Sequence, residues 1–520
     1  MPRTRFFAIA AVLVVALIAL AVAQPFGGEE ERPLSEIPAT PAQPKPAPGA
    51  PSVQEVADVD PLAYNPDDEA DLLRRGRDGL AHVLFVKSPG GAIATADRVT
   101  RFQSLVDRAA KRHDVNPRTL RALIFLESAG RPDVAAGGDP DSAVGLAQIL
   151  PETGSGLLGM RVDLARSKRI AALIPRYQRI AATSRKLKKR RVARRRVAAL
   201  LRERPRIDER YDPAKAVDGA ARYLAFAEKK LGRPDLAAAS YHMGIGNLQD
   251  VIAAYVRPRK LTGSTPKTVK RYGITYARLY YDSSPIRNPN AYRRLYGLGD
   301  DSRHYLFKLD AADTIMRLRT SGSDLLGRIV ELQTAKASAE NLLRPPDRFP
   351  SYEDSADLRR AYDKGELIAL PNEPRRLGYK IDRGMGSLAR RIKERKPLFR
   401  GLRPEALATL LYITKEVRRI AGGSHLKVTS TVRDLKYQDA LIGVNSQATR
   451  SFSLHTTGFA VDVSRDFRNK REEQAFIYVL ERLRAHNVID FVFEPGAIHF
   501  TVGPEGKRLM PVLERLIEEP

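Results

Sequence analysis

Two stretches of this sequence place reactive residue types at spacings that would let them act together. In "PRTLRALIFLESAGRPD", Leu120, Leu123, Ile124 and Glu127 fall on one helical stripe. The acid continues an apolar face in the last turn, before Ser128 and a terminating Gly130. Desolvation by apolar neighbours and the negative end of the helix dipole both raise the pKa of such a group. A carboxyl kept protonated near neutral pH is what protonation of a leaving glycosidic oxygen requires. The plainer reading is a partly exposed glutamate at a helix end.

In "SFSLHTTGFAVDVSR", His455 stands seven residues ahead of Asp462 in a chain with only 8 His and no Cys. Alternation puts Ala460 and Asp462 on one strand face, and a tight turn through "TTG" can fold His455 back over Asp462. Imidazole and carboxylate together suit zinc, whose catalytic sites take three protein ligands and leave one position open. His499, in the β-like run "GAIHFTV", is an attractive third ligand. The plainer reading is a strand and a turn with a structural histidine.

The elements that must position these residues can be read along the chain. A length of 520 residues suggests roughly three domain-sized units. The opening "MPRTRFFAIAAVLVVALIALAVAQPFGG" has two arginines, an apolar run from Phe6 to Ala23, and an A-x-A pattern at its end. It predicts a signal peptide or membrane anchor over residues 1–23, hence an exported chain, either secreted or anchored, in the periplasm or cell wall. Residues 24–62, rich in Pro, Ala and Glu, read as an extended linker. Phe102, Leu105, Val106 and Ala109 mark an amphipathic helix, and Asn116-Pro117 a capped start for the next. Helical patterning over 95–335 gives way to an expected linker over 336–376. Residues 377–510 then mix helices with β runs such as "LKVTSTV", "GFAVDV" and "DFVFE". Without cysteine, stability outside the cytoplasm must come from packed cores.

The ordered series Glu127-Ser128, Gly145-Leu146-Ala147-Gln148 and Ser240-Tyr241-His242-Met243-Gly244 resembles the soluble lytic transglycosylases and goose-type lysozymes. The resemblance covers roughly residues 98 to 260. It implies an α-helical lysozyme-like domain that cleaves peptidoglycan after N-acetylmuramic acid without a cofactor. Glu127 would act as acid and then base, and Ser128, Gly145, Gln148 and Tyr241 would bind the glycan. Ala147 departs from the usual Met, and His242-Met243 from the usual Asn-x. Asp139 or Asp141 positioning a water would instead give a hydrolytic muramidase.

"SFSLHTTGFAVDV" with a later β-strand His, and "VTSTVRDLKYQDAL" upstream, resemble the zinc D-Ala-D-Ala carboxypeptidases and LAS-type peptidases over roughly residues 400 to 503. That resemblance implies a C-terminal α+β domain with zinc on His455, Asp462 and His499, and Arg433 at the oxyanion. The family's base, three residues before the last ligand, is Gly496 here. The nearest acid is Glu494, which a bulge through Pro495-Gly496 could bring round; the alternative is a lost base, leaving a zinc-bearing or merely peptide-binding module. The multidomain chain then reads as a glycan-cleaving enzyme with a D,D- or L,D-peptidase. The alternatives are a non-catalytic peptidoglycan-binding C-terminal half, or a structural adhesion protein with degenerate sites.

A net charge of +27 predicts polyanionic partners. Nine of the twelve residues from Arg185 to Arg196 are basic. They make either a solvated helical face or an adhesive one for anionic wall polymer or a membrane surface, and export argues against nucleic acid.

Overall fold

The computed structural model describes residues 60–257, 264–371, 374–444 and 449–518. The expected signal segment and most of the linker that follows it lie outside the described residues. Among the described residues no helix is long and apolar enough to cross a membrane. The chain divides into two compact units. The first takes Val83–Leu279 and Arg294–Leu326, and the second takes the described residues up to His82, Tyr280–Arg293, and the chain from Gly327 on.

The first unit is helical. Its principal elements are α1 (Gly91–Thr100), α2 (Gln103–His113), α3 (Pro117–Ser128), α4 (Leu164–Thr183), α5 (Leu187–Ile207), α6 (Pro213–Leu231), α7 (Pro234–Met243), α8 (Ile245–Val256) and α9 (Tyr305–Thr320). Along the chain helical structure begins earlier than the apolar periodicity suggests, with a helix at Glu69–Gly79 that belongs to the second unit and another at His82–Lys87. In the first of these Arg75 is buried beside Leu72, and a charged residue on the inner face hides the stripe.

Helix α3 starts where the Asn116 side chain accepts a hydrogen bond from the Arg118 amide and Pro117 fills the first position. It ends with Ala129 in the left-handed region, ahead of Gly130. Leu120, Leu123 and Ile124 are fully buried, so the apolar stripe faces the core. Helix α9 runs antiparallel beside it. The Asp313 carboxylate accepts hydrogen bonds from Arg118, Arg121 and Arg317, while Tyr305, two turns earlier, meets Glu127 at the far end of α3. Eight helical residues span about 12 Å, so one pair of helices fixes both contacts.

The loop from residue 130 to 163 is held from behind by Arg210, which is fully buried. Its guanidinium donates to the carbonyls of Pro140 (2.9 Å), Ser142 (3.2 Å) and Ile149 (3.2 Å), and pairs with the buried Asp208 carboxylate at 2.8 Å. Gly145 has φ 79°, and a Cβ there would lie 1.9 Å from the Arg210 carbonyl oxygen, so only glycine fits. Removal of one partner from a buried ion pair strands the other charge. Arg210→Ala is therefore expected to lower unfolding stability by about 3–5 kcal/mol in urea titrations.

The second unit is built on a five-stranded sheet, in the order β2 (Tyr379–Ile381), β4 (Leu426–Ser430), β5 (Ala460–Ser464), β7 (Ala497–Val502), β6 (Ile489–Phe493). β2 is parallel to β4 and the other pairs are antiparallel. Strands β1 (Ile368–Ala369) and β3 (Gly401–Leu402) form a separate pair. Helices α12 (Pro404–Ala421) and α13 (Lys470–Ala485) pack together and bury Leu410, Ile413, Phe476 and Val479.

Residues 336–376 are not a linker. They carry α10 (Glu340–Leu343) and α11 (Ser355–Asp363), and Leu358, Ala361 and Leu367 sit in a core cluster with Phe399, Val432 and Tyr437. The Pro-rich composition there reflects turns between short packed elements. Likewise Leu62, at the end of the expected first linker, is buried, and the Asp60 carboxylate accepts from Arg482 and Tyr412 within this unit.

Candidate functional site

The first unit holds a cleft of about 330 Å³. Glu127, Gln148, Tyr241, His242, Tyr305 and Lys308 are among the side chains that line it. The Glu127 carboxylate accepts a 2.6 Å hydrogen bond from the Tyr305 hydroxyl. Tyr305 stacks at 6.5 Å on the Tyr241 ring and at 5.3 Å on the His242 ring. Burial among these rings raises the Glu127 pKa, against the pull of His242 and the Tyr305 hydrogen bond. Burial also raises Tyr305 well above the usual phenol range, and the adjacent Glu127 adds to it, so the phenol stays a neutral donor. A desolvated carboxyl gripped by one donor can give up a proton and take one back.

The other expected glycan contacts divide. Gln148 lines the cleft with φ 45°, and its amide donates to the Gly145 carbonyl at 2.9 Å. Gly145 lies behind it, held by a bond from its own amide to the Val134 carbonyl. The Tyr241 hydroxyl donates to the Ala147 carbonyl at 2.7 Å, so this tyrosine fixes the Gln148 loop while its ring faces the cleft. Ser128 also borders the cleft, but it is buried and its hydroxyl turns back to the Ile124 carbonyl. Asp139 and Asp141 are exposed, Asp141 pairs with Lys168, and neither lines the cleft. Tyr305, 178 residues along the chain from Glu127, has no local signal in the sequence.

In the second unit, His455 sits on a 3-10 turn, Leu454–Thr457, closed by Gly458 at φ 80°. Its Nδ1 lies 2.7 Å from the Thr431 carbonyl and its Nε2 3.1 Å from Asp462 Oδ1. Asp462 faces His499 across β5 and β7, and His499 Nδ1 lies 2.8 Å from the same carboxylate oxygen. The ligand atoms of all three residues are within 4.8 Å of one another. On its far side His499 Nε2 meets Glu340 Oε2 at 3.0 Å, and Lys336 pairs with the other Glu340 oxygen at 2.6 Å.

This arrangement fits a metal in tautomer as well as distance. With each imidazole donating outward, to Thr431 and to Glu340, the lone pairs of His455 Nε2 and His499 Nδ1 face the Asp462 carboxylate. A His₂Asp donor set suits zinc. Burial would raise the Asp462 pKa, but both histidines hold it well below the usual range. Burial lowers His455 to about 4, helped by Arg433. Burial opposes charge on His499, yet the flanking Asp462 and Glu340 outweigh it and carry the group up to about 10, so a metal on Nδ1 would have to displace a proton there.

Arg433 donates to Asp462 Oδ2 at 3.2 Å, to Ser430 and to Gln438. With Asp462, Ser430, Met385 and Tyr437 it lines a polar cavity of about 210 Å³. No bulge forms at Pro495-Gly496. β6 and β7 keep continuous register to Phe493↔Ile498, and the Glu494 amide donates to the Ala497 carbonyl across a tight turn. Directly opposed residues share a face, so plain alternation puts Glu494 on the side of His499 and Asp462. Its pKa is raised, first by desolvation and then by Asp462. Glu340 carries no local signal in the sequence, because it lies in the segment whose composition reads as a linker.

Residues 104–175 and 177–260 match the family model of the transglycosylase SLT domain. The match supports a peptidoglycan lytic transglycosylase activity for the helical unit, with peptidoglycan as substrate. No curated protein matches the chain.

Because the folded-state pKa of Glu127 is raised, its contribution to stability is fully present below the unfolded value and is lost as pH rises through the folded one. Glu127→Gln removes that loss. The variant's gain in melting temperature over the native chain should therefore grow as pH rises above the ordinary glutamate midpoint of about 4.3.

Proposed function

We propose that the chain is an exported peptidoglycan-remodelling enzyme with two chemistries. The helical unit cleaves the glycan strand at N-acetylmuramic acid, and the second unit is a zinc-dependent stem-peptide peptidase. The observation that carries the first half is the enclosed Glu127–Tyr305 pair in a ring-lined cleft, with Glu127 inside the family match and Tyr305 beyond it. Glu127 gives its proton to the leaving glycosidic oxygen. As carboxylate, steadied by the Tyr305 hydroxyl, it then takes the proton of the sugar's own hydroxymethyl group as that oxygen closes an anhydro ring. One carboxyl serves both steps, in line with the absence of Asp139 and Asp141 from the cleft lining.

Digestion of purified peptidoglycan should release anhydro-muropeptides, read by mass spectrometry. Glu127→Gln should reduce that release by about 10²–10⁴-fold. Products that carry an added water in place of the anhydro ring would indicate a muramidase instead.

For the second half, the supporting observation is the His455–Asp462–His499 cluster and its outer partners. Zinc there would supply Lewis acidity to a scissile carbonyl and acidity to a water molecule. Asp462 is oriented by Arg433, His499 by Glu340, and Glu494 shares their sheet face as a candidate base. Purified protein should hold one equivalent of zinc, lost in His455→Ala. Glu340→Gln should weaken zinc affinity by about 10–100-fold in chelator competition. Zinc bound normally by Glu340→Gln would remove Glu340 from the site, and no zinc in the native chain would leave a peptide-binding module.

A further inference from the structure

The helical hairpin α4–α5 takes no part in either site. Seventeen of the residues from 164 to 207 are Lys or Arg and only Glu203 is acidic. The two helices pack on each other through Ile170, Ile174, Leu200 and Ile207, which uses up the inner face. The outer face of α5 carries the cations. Among the described residues, the nine basic side chains between Arg185 and Arg196 make no ion pair, while Arg166 and Lys168 on α4 do. Leu187 is 77% exposed and Val192 56% exposed among those cations.

We infer that this hairpin is a docking surface for an anionic lipid bilayer, with α5 lying in the plane of the headgroups. Unpaired Lys and Arg along a helix supply attraction to anionic headgroups. That alone would serve any polyanion. Leu187 and Val192 make the distinction, because a phosphate or uronate polymer offers no apolar phase for them, whereas the headgroup–acyl boundary does. The helix is about 31 Å long, enough to span several headgroups at once.

The test is sedimentation of the full chain with phosphatidylglycerol-containing vesicles against pure phosphatidylcholine vesicles. The ratio between the two cancels any contribution from the apolar N-terminal run. Soluble polyphosphate binding is measured in parallel. The native chain should prefer the anionic vesicles, less so as salt rises. Arg191→Gln/Arg194→Gln/Arg195→Gln should cut that preference by about a hundredfold, at about fivefold per cation. Leu187→Ser/Val192→Ser should weaken anionic-vesicle binding while leaving polyphosphate binding intact. Retention of the native circular dichroism spectrum by both variants ties the losses to the surface. A vesicle ratio of one would overturn the inference. So would vesicle binding unchanged in Leu187→Ser/Val192→Ser, which would mark a general polyanion site.

Discussion

The helical unit is organised around the cost of enclosing the Glu127 carboxyl. A charged carboxylate among aromatic rings is unfavourable, and the fold supplies one strong donor, Tyr305, rather than a cation in direct contact. That choice leaves the group readily protonated. The donor must then be held where it cannot swing away. The antiparallel pairing of α3 and α9 does this, with Asp313 and its three arginines locking the far end of the pair. Arg210 performs the equivalent task for the loop that carries Gln148, donating to three of its carbonyls.

The second unit solves a different positioning problem through strand register. Ser430, Asp462, His499 and Val492 lie in one row across β4, β5, β7 and β6, so the histidine and the carboxylate meet because their strands pair. His455 is added by a turn that needs a left-handed Gly458. Glu340 enters from outside the sheet and sets which nitrogen of His499 faces inward. A register slip of one residue would turn Asp462 and His499 to opposite faces, so the sheet and the site stand or fall together.

Local features were legible in the sequence and long-range ones were not. The stripe through Leu120, Leu123, Ile124 and Glu127, the Asn116-Pro117 cap, and the turn from His455 to Asp462 each lie within a dozen residues and follow from periodicity and turn chemistry. Tyr305 and Glu340 reach their partners across 178 and 159 residues, and neither sits in a distinctive local pattern. Residues 336–376 misled because proline and charge are as common in short packed segments as in linkers. Glu494 needs no bulge, since strand pairing, invisible without the partner strand, already puts it on the histidine's side of the sheet.

Proton donation by Glu127 requires a carboxyl that is still protonated where ordinary glutamates are charged. Carbon-13 NMR of the native chain labelled at the glutamate side-chain carboxyl, with Glu127→Gln used to assign the signal, reads this directly. The Glu127 resonance should titrate above the ordinary glutamate midpoint of about 4.3. A midpoint at or below that value would mean a solvated carboxylate, and would contradict its role as the proton donor.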